Sequence, residues 1–134
     1  MEDLRSSRAR NSGSSRIREL LHLTERPDML SLAGGLPATE ALPVERVRNA
    51  LDAALSTRAL QYGPTEGLHD LREFLADRFG ATVDQVLITS GAQQALDLIA
   101  RAVIDDGDAA AVESPAYLGA TQVLRNAGAS ILAV

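Results

Sequence analysis

The chain has 134 residues, a formal net charge of −5 and a mean hydropathy of −0.02. This length provides for one modest hydrophobic core. No run approaches the roughly 20 apolar residues of a membrane-spanning helix, and the N-terminus has no apolar stretch typical of a signal peptide, so we expect a cytoplasmic protein with no membrane partner. The basic residues are dispersed except near the N-terminus, which argues against nucleic acid as a partner.

The absence of cysteine and lysine and the presence of only two histidines restrict the catalysis and metal binding that the chain can support. Cysteine is absent, which excludes disulfides, thiolate nucleophiles and cysteine-ligated metals. The two histidines, His22 and His69, are far apart and each lies in a helical pattern, so we expect no metal site. All 13 basic residues are arginine, so the chain contains no lysine.

The N-terminal third is predicted to be helical with long connections. Residues 1–13, rich in serine and arginine, are expected to form a flexible arm, and a short amphipathic helix follows a cap at Ser14 or Ser15. Residues 31–43 carry two adjacent glycines and two prolines, which predicts an extended loop. Pro43 then begins a second helix whose apolar residues recur at helical spacing.

From residue 61 onward the pattern changes to alternating helices and strands. A loop over residues 61–67 precedes a third helix that stops at Gly80. The elements predicted after it are a strand at 86–89, a helix after Gly91, a strand at 109–113, a helix from Ser114 to about Asn126, and a strand at 130–134.

This β-α-β-α-β order predicts an α/β architecture with a parallel sheet, and the apolar strands predict burial on both faces. The last four residues, 131–134, are all apolar and nothing follows to cover them. We therefore expect the chain to be a fragment, or other elements to cover the sheet.

Two loops are expected at the carboxyl ends of the predicted strands, where open parallel sheets bind ligands. The turn over residues 89–94 leads from a strand into a helix, so its N–H groups and the helix dipole favour a phosphate, although every βα unit has such a turn. The motifs G-x-x-x-x-G-K-[ST] and G-x-G-x-x-G are missing, which argues against ATP and NAD. Tyr117, beyond the next strand, either stacks on a cofactor or packs beneath its own loop.

Four motifs in order resemble the fold type I, class I and II aminotransferases, which use pyridoxal 5'-phosphate (PLP), and in particular the group containing 2-aminoadipate and kynurenine aminotransferases. They are Ser31-Leu-Ala-Gly-Gly-Leu-Pro37, Gln61-Tyr-Gly-Pro-Thr-Glu-Gly67, Thr89-Ser-Gly-Ala-Gln-Gln-Ala-Leu-Asp97 and Glu113-Ser-Pro-Ala-Tyr117. The likeness runs from about Ser15 to the C-terminus but covers only the first part of that fold. It implies that residues 14–45 form the N-terminal helix and substrate-side loop, and that residues 46–134 begin the PLP-binding large domain.

The resemblance also implies roles for individual residues. In the turn at Gly91, the amides of Ala92 and Gln93 and the Gln93 side chain would hold the PLP phosphate. Tyr117 would stack on the pyridine ring, and Tyr62 would reach the cofactor phosphate of the neighbouring subunit in a homodimer. Many relatives have serine at the position of Ala92, so one hydroxyl donor is lost, at a cost of about 1 kcal/mol.

The substrates implied are an amino acid and a 2-oxo acid. Gly34 and Gly35 would line the substrate side, and Arg18 matches a helix that recognises acidic substrate side chains, although a surface arginine is an equally good interpretation. The family's later parts are absent, including the Schiff-base lysine, so we expect no catalytic residue here and no activity from this chain alone.

Two alternatives stay open at this point. The first is a non-catalytic truncated homologue that acts as a phosphate-ligand or protein-interaction module. The second is a regulator in which a winged-helix domain precedes an aminotransferase-like domain, but too few residues precede Ser31 for that domain.

Overall fold

The computed structural model describes Leu4, Ser6, residues 28–30 and residues 35–134. These fall into two compact units, one that contains residues 35–88 and one that contains residues 89–134. The predicted first helix lies outside the described residues, as does most of the predicted arm. The domain boundaries predicted at residues 13 and 45 stay predictions.

The unit of residues 35–88 is helical in its regular parts. Its two α-helices are α1, Val44–Ala54, and α2, His69–Phe79. Short 3-10 helices lie at Thr39–Ala41 and Val83–Gln85, and the second of them packs against α2. Both α-helices occur where apolar periodicity predicted them, and α2 ends at Gly80 in the left-handed conformation, with φ of 65°.

The strand predicted at residues 86–89 is wrong, since this segment has no regular secondary structure. A β-strand needs a neighbouring strand that forms hydrogen bonds with its backbone N–H and C=O groups. Here the guanidinium of Arg72 donates instead, from Nε to the Val86 carbonyl at 2.8 Å and from Nη2 to the Val83 carbonyl at 2.7 Å. The Ile88 N–H donates to the Glu66 carbonyl at 3.0 Å. The Arg72 side chain and the Glu66 loop therefore form hydrogen bonds with the backbone groups that a neighbouring strand would otherwise bond.

The unit of residues 89–134 contains the α/β part of the chain. Its elements are α3, Ala92–Val103, β1, Ala109–Val112, α4, Leu118–Ala127, and β2, Ser130–Ala133. β1 and β2 pair in parallel, with Ala109 opposite Ser130 and Val112 opposite Ala133, which confirms the predicted parallel sheet. α4 connects the two strands and packs against both β2 and α3. The prediction of an α/β fold is confirmed.

α4 begins later than predicted, at Leu118 rather than at Ser114. The Ser114 N–H donates to the Val134 carbonyl at 3.2 Å, which continues the contact between the strands beyond β1. Tyr117 is still extended, with φ of −61° and ψ of 119°, and its carbonyl accepts from the N–H groups of Ala120 and Thr121. The first helical turn therefore closes on Tyr117.

Burial is much lower than the sequence pattern predicted. The buried apolar residues of the described part are Ala76, Ala100 and Val123. Exposed and half-buried positions alternate along β1, so the prediction of strands buried on both faces is wrong. Parts of the apolar faces of α1 and α3 are open to solvent, since Leu51 is 65% exposed and Val103 is 70% exposed. These parts of the correctly predicted amphipathic helices thus lack a covering layer within the described residues. None of the described helices combines the length and hydropathy needed to cross a membrane.

The two hydrogen bonds from Arg72 to backbone carbonyls predict a clear loss of stability on substitution. Its side chain is 13% exposed. We expect Arg72→Ala to lower the free energy of unfolding by about 2 kcal/mol, because two carbonyls lose charged donors. The control Arg78→Ala, at an exposed position of the same helix, should change it by less than about 0.5 kcal/mol. Urea unfolding followed by circular dichroism measures both, and equal midpoints for the two variants would contradict the assigned role.

Candidate functional site

The N-terminus of α3 presents backbone donors that no side chain caps. Gly91, the residue before the helix, has φ of 86° and ψ of 172° and has no side chain that could accept a hydrogen bond. The first helical bond runs from the Ala95 N–H to the Gly91 carbonyl at 3.4 Å. The N–H groups of the first turn, from Ala92 onward, therefore point out of the helix end together with the positive end of its dipole. This arrangement favours an anion.

The residues around this helix end stabilise the turn without adding negative charge. The Thr89 hydroxyl donates to the Gly91 carbonyl at 3.2 Å, and the Ser90 N–H donates to the Gln94 side-chain oxygen. The first turn of α3 has no acidic residue. Among the described residues, no group of three or more histidines and carboxylates could hold a metal ion. The electrostatics of this turn thus fit an anionic group such as a phosphate.

A second helix end meets the first through one side chain. Gln93 in α3 donates from Nε2 to the carbonyl of Gly119, in the first turn of α4, at 3.2 Å. Tyr117, just before α4, is a residue that is 64% exposed. A β-carbon placed on Gly119 would lie 2.6 Å from Tyr117 Cε1 and 2.6 Å from Gln93 Oε1. Tyr117 and Gln93 therefore both flank Gly119.

Sequence reasoning missed Gly119. Glycine inside a helix costs roughly 0.5–1 kcal/mol relative to alanine, so a glycine at this place is itself a signal of a close approach. The signal is visible in the run Tyr117-Leu-Gly-Ala-Thr121, where a glycine stands inside a predicted helix.

The remaining predicted site residues belong to the other unit or lie outside the described residues. Tyr62 belongs to the unit of residues 35–88 and is 99% exposed, with its N–H donating to the Gln61 side chain at 2.9 Å. Gly35 belongs to the same unit and has φ of 62°. Gly34 and Arg18 lie outside the described residues. Their predicted roles stay predictions.

Comparison with known proteins decides the family. The sequence model described as aminotransferase class I and II matches residues 27–134. The chain belongs to this family. The resemblance deduced from the four motifs is thereby confirmed.

The relatives of this aminotransferase-family chain are longer than the chain itself. It is 48% identical over 124 residues to the 2-aminoadipate transaminase of Thermus thermophilus, covering 90% of this chain and 31% of that protein. It is 44% identical over 129 residues to aromatic-amino-acid aminotransferase 1 of Thermococcus litoralis, again covering 90% and 31%. The chain thus spans about a third of the length of the relatives it matches.

A solved structure supports the same conclusion for the fold. The α-aminoadipate aminotransferase of Thermus thermophilus superposes with a TM-score of 0.84 at 42% identity, over 97% of this chain and 33% of that one. That enzyme was crystallised with N-(5'-phosphopyridoxyl)-L-leucine. The predicted fold, the beginning of the fold type I architecture, and the predicted cofactor of the family, PLP, are confirmed. The uncapped, non-acidic end of α3 fits the phosphate of such a group.

The backbone of Gly91 predicts an intolerance to side chains that does not depend on space. Nothing lies within 4 Å of a β-carbon built there, yet φ of 86° with ψ of 172° is a region used almost only by glycine. We expect Gly91→Ala to lower the free energy of unfolding by about 1–3 kcal/mol. The control is Gly63→Ala, which lacks a positive φ and whose β-carbon would come no closer than 3.8 Å to another atom.

Denaturant midpoints measure both variants. A D-alanine introduced at position 91 by chemical ligation should restore stability, because its mirror-image preference matches this backbone. Equal loss for the L- and D-residues at Gly91 would contradict the assignment of the effect to backbone conformation.

Proposed function

We propose that this chain forms the cofactor-phosphate part of a PLP-dependent aminotransferase, which transfers an amino group from an amino acid to a 2-oxo acid. The observation that carries the proposal is the glycine-led, uncapped end of α3, tied through Gln93 to the turn that follows Tyr117. Family membership of residues 27–134 supports the reaction class. When bound, PLP supplies the electron-accepting ring and the group that carries nitrogen between substrates.

In this proposal the backbone of α3 provides the main attraction for the phosphate. The N–H groups of Ala92 and Gln93 donate to phosphate oxygens, and the helix dipole adds positive potential at the same place. The Gln93 amide nitrogen carries two N–H donors, of which Gly119 takes one, so the second is available to the phosphate. The exposed ring of Tyr117 provides a flat apolar surface for the cofactor ring.

Further parts of the proposal rest on the family alone. Tyr62 would contact the cofactor phosphate of a second subunit in a homodimer. Gly34 and Gly35 would lie on the substrate side, and Arg18 would recognise an acidic substrate side chain. We also propose a cytoplasmic location.

In this proposal, residues outside this sequence carry out the amino transfer. The sequence contains no lysine, and in this family a lysine links to the cofactor and moves the proton. The chain would hold the phosphate and the ring face. A longer polypeptide of the same family would supply the lysine. The alternative is a non-catalytic module that binds only a phosphate ligand. The mass and the absorbance of the protein isolated from its source distinguish the two hypotheses.

A phosphate-dependent affinity is the direct consequence of the proposed site. We expect pyridoxine 5'-phosphate to bind at least about tenfold more tightly than pyridoxine, which corresponds to about 1.4 kcal/mol. This probe lacks the aldehyde and so cannot react with the terminal amine. Titration calorimetry gives both dissociation constants, and 15N spectra should show the largest shifts at the amides of Ala92 and Gln93. Equal affinities for pyridoxine 5'-phosphate and pyridoxine would contradict the proposal.

A matched pair of glutamine variants locates that binding. Gln93→Ala should weaken pyridoxine 5'-phosphate several-fold, since one charge-assisted hydrogen bond is lost. Gln122→Ala, at an exposed position of α4, should leave the dissociation constant unchanged. A similar loss in both variants would show that the probe binds elsewhere.

The missing lysine predicts that the purified 134-residue chain transfers no amino group. We expect no absorbance band of lysine-linked cofactor after PLP is added to a protein of 14.2 kDa. The intact mass of the protein isolated from its source completes the test. A larger mass with that band would identify this sequence as part of a working aminotransferase, and a stable 14.2 kDa protein without it would favour the binding module. Amino transfer by the purified 134-residue chain would contradict the expectation.

A further inference from the structure

The two candidate cofactor side chains of the unit 89–134, Tyr117 and Gln93, both approach Gly119. Its carbonyl accepts the Gln93 amide at 3.2 Å. The position that a β-carbon would take lies 2.6 Å from Tyr117 Cε1, 2.7 Å from Tyr117 Cζ and 2.6 Å from Gln93 Oε1. Carbon atoms in contact prefer separations of about 3.5–4.0 Å. A side chain at residue 119 would therefore displace the Tyr117 ring.

We propose that Gly119 is a positioning residue that fixes the Tyr117 ring and the Gln93 amide relative to each other at the end of α3. The inference rests on the proposed cofactor-phosphate site and deepens it. Tyr117 and Gln93 would contact the cofactor, whereas Gly119 acts through them. It does so in two ways, by its carbonyl and by the absence of a side chain.

The carbonyl of Gly119 determines the orientation of the Gln93 side-chain amide. An amide group has two N–H donors at one end and a lone-pair oxygen at the other. The carbonyl accepts only from the nitrogen end, so Nε2 stays beside Gly119 and its second N–H remains free to donate to an anion. The reversed amide would place two oxygens, Gln93 Oε1 and the Gly119 carbonyl oxygen, against each other, and the hydrogen bond between the two helix ends would be lost.

The backbone of Gly119 does not itself require glycine. The described glycines with positive φ are Gly35, Gly67, Gly80, Gly91, Gly107 and Gly128, and Gly119 is not among them. Residue 119 lies in the first turn of α4, where alanine is the better helix former. The close approach of Tyr117 and Gln93 is therefore the feature of the structure that accounts for glycine here.

The two neighbours of Gly119 differ in how easily they can yield. Gln93 Oε1 is the far end of a flexible, exposed side chain and can move aside at small cost. The Tyr117 ring is rigid and near its own backbone, so it has to change rotamer to clear a β-carbon. We therefore expect substitution at residue 119 to act mainly on the ring, and only secondarily on the phosphate donors.

The first test is Gly119→Ala in the full chain, with no ligand present. Selectively labelled tyrosine gives separate ring resonances for Tyr117 and Tyr62. The Tyr117 ring signals should shift, and those of Tyr62 serve as the internal control. Unchanged Tyr117 signals would overturn the positioning role, whether or not the chain binds a cofactor.

The second test compares two ligands. In Gly119→Ala the dissociation constant of pyridoxine 5'-phosphate should rise about tenfold, and that of inorganic phosphate about twofold or less, because only the former uses the ring. Equal weakening of both ligands would overturn the role of the ring. If the unsubstituted chain binds neither ligand, the cofactor-phosphate proposal fails, and the ring signals still decide whether Gly119 positions Tyr117.

A double-variant cycle keeps the proposal testable if Gly119→Ala folds poorly. In the unsubstituted background the alanine should lower the urea midpoint, because the ring blocks its β-carbon. In the Tyr117→Ala background the same alanine should raise the midpoint, since the better helix former then meets no ring. A raised midpoint in both backgrounds would show that Tyr117 and residue 119 do not interact, and would overturn the proposal.

Discussion

The packing of α3 against α4 determines where the candidate site forms. Because β1 and β2 are parallel, the chain has to return along the sheet, and α4 is the element that does so. α3 lies against that returning helix. The hydrogen bond from Gln93 to the Gly119 carbonyl then joins the N-terminal turns of both helices. An anion-favouring helix end and an aromatic ring are thus held together by the protein itself.

Much of the local structure could be predicted from the sequence because its causes are local. The apolar spacing of α1 and α2 and the glycine after α2 depend on neighbouring residues only. The alternation of helices with apolar strands was enough to predict parallel pairing of β1 with β2. The segment 86–89 was wrongly predicted as a strand since a strand depends on its partner, and here Arg72, 14 residues before Val86, takes the carbonyl.

The residues of the candidate site that belong to a sequence motif could be predicted, whereas a residue that matters through a long-range contact could not. The resemblance pointed to Gln93 and Tyr117 through the motifs that contain them. Gly119 lies 26 residues from Gln93, and its importance is visible only once the two helix ends are placed side by side. The exposure of the amphipathic faces was equally hidden, because burial depends on what covers a face, and the chain spans about a third of the length of its relatives.

The bare N-terminus of α3 also affects how the protein is kept folded. A side-chain cap stabilises a helix by about 0.5–2 kcal/mol relative to alanine and by only a few tenths of a kcal/mol relative to glycine, and Gly91 cannot provide one. An anion bound there would take the place of the cap and would stabilise only the folded form. At a free concentration 100 times its dissociation constant, such a ligand adds about 2.7 kcal/mol to the free energy of unfolding. With Ala76, Ala100 and Val123 as the buried apolar residues of the described part, a cofactor would then be a structural component whose concentration sets the folded fraction of the chain.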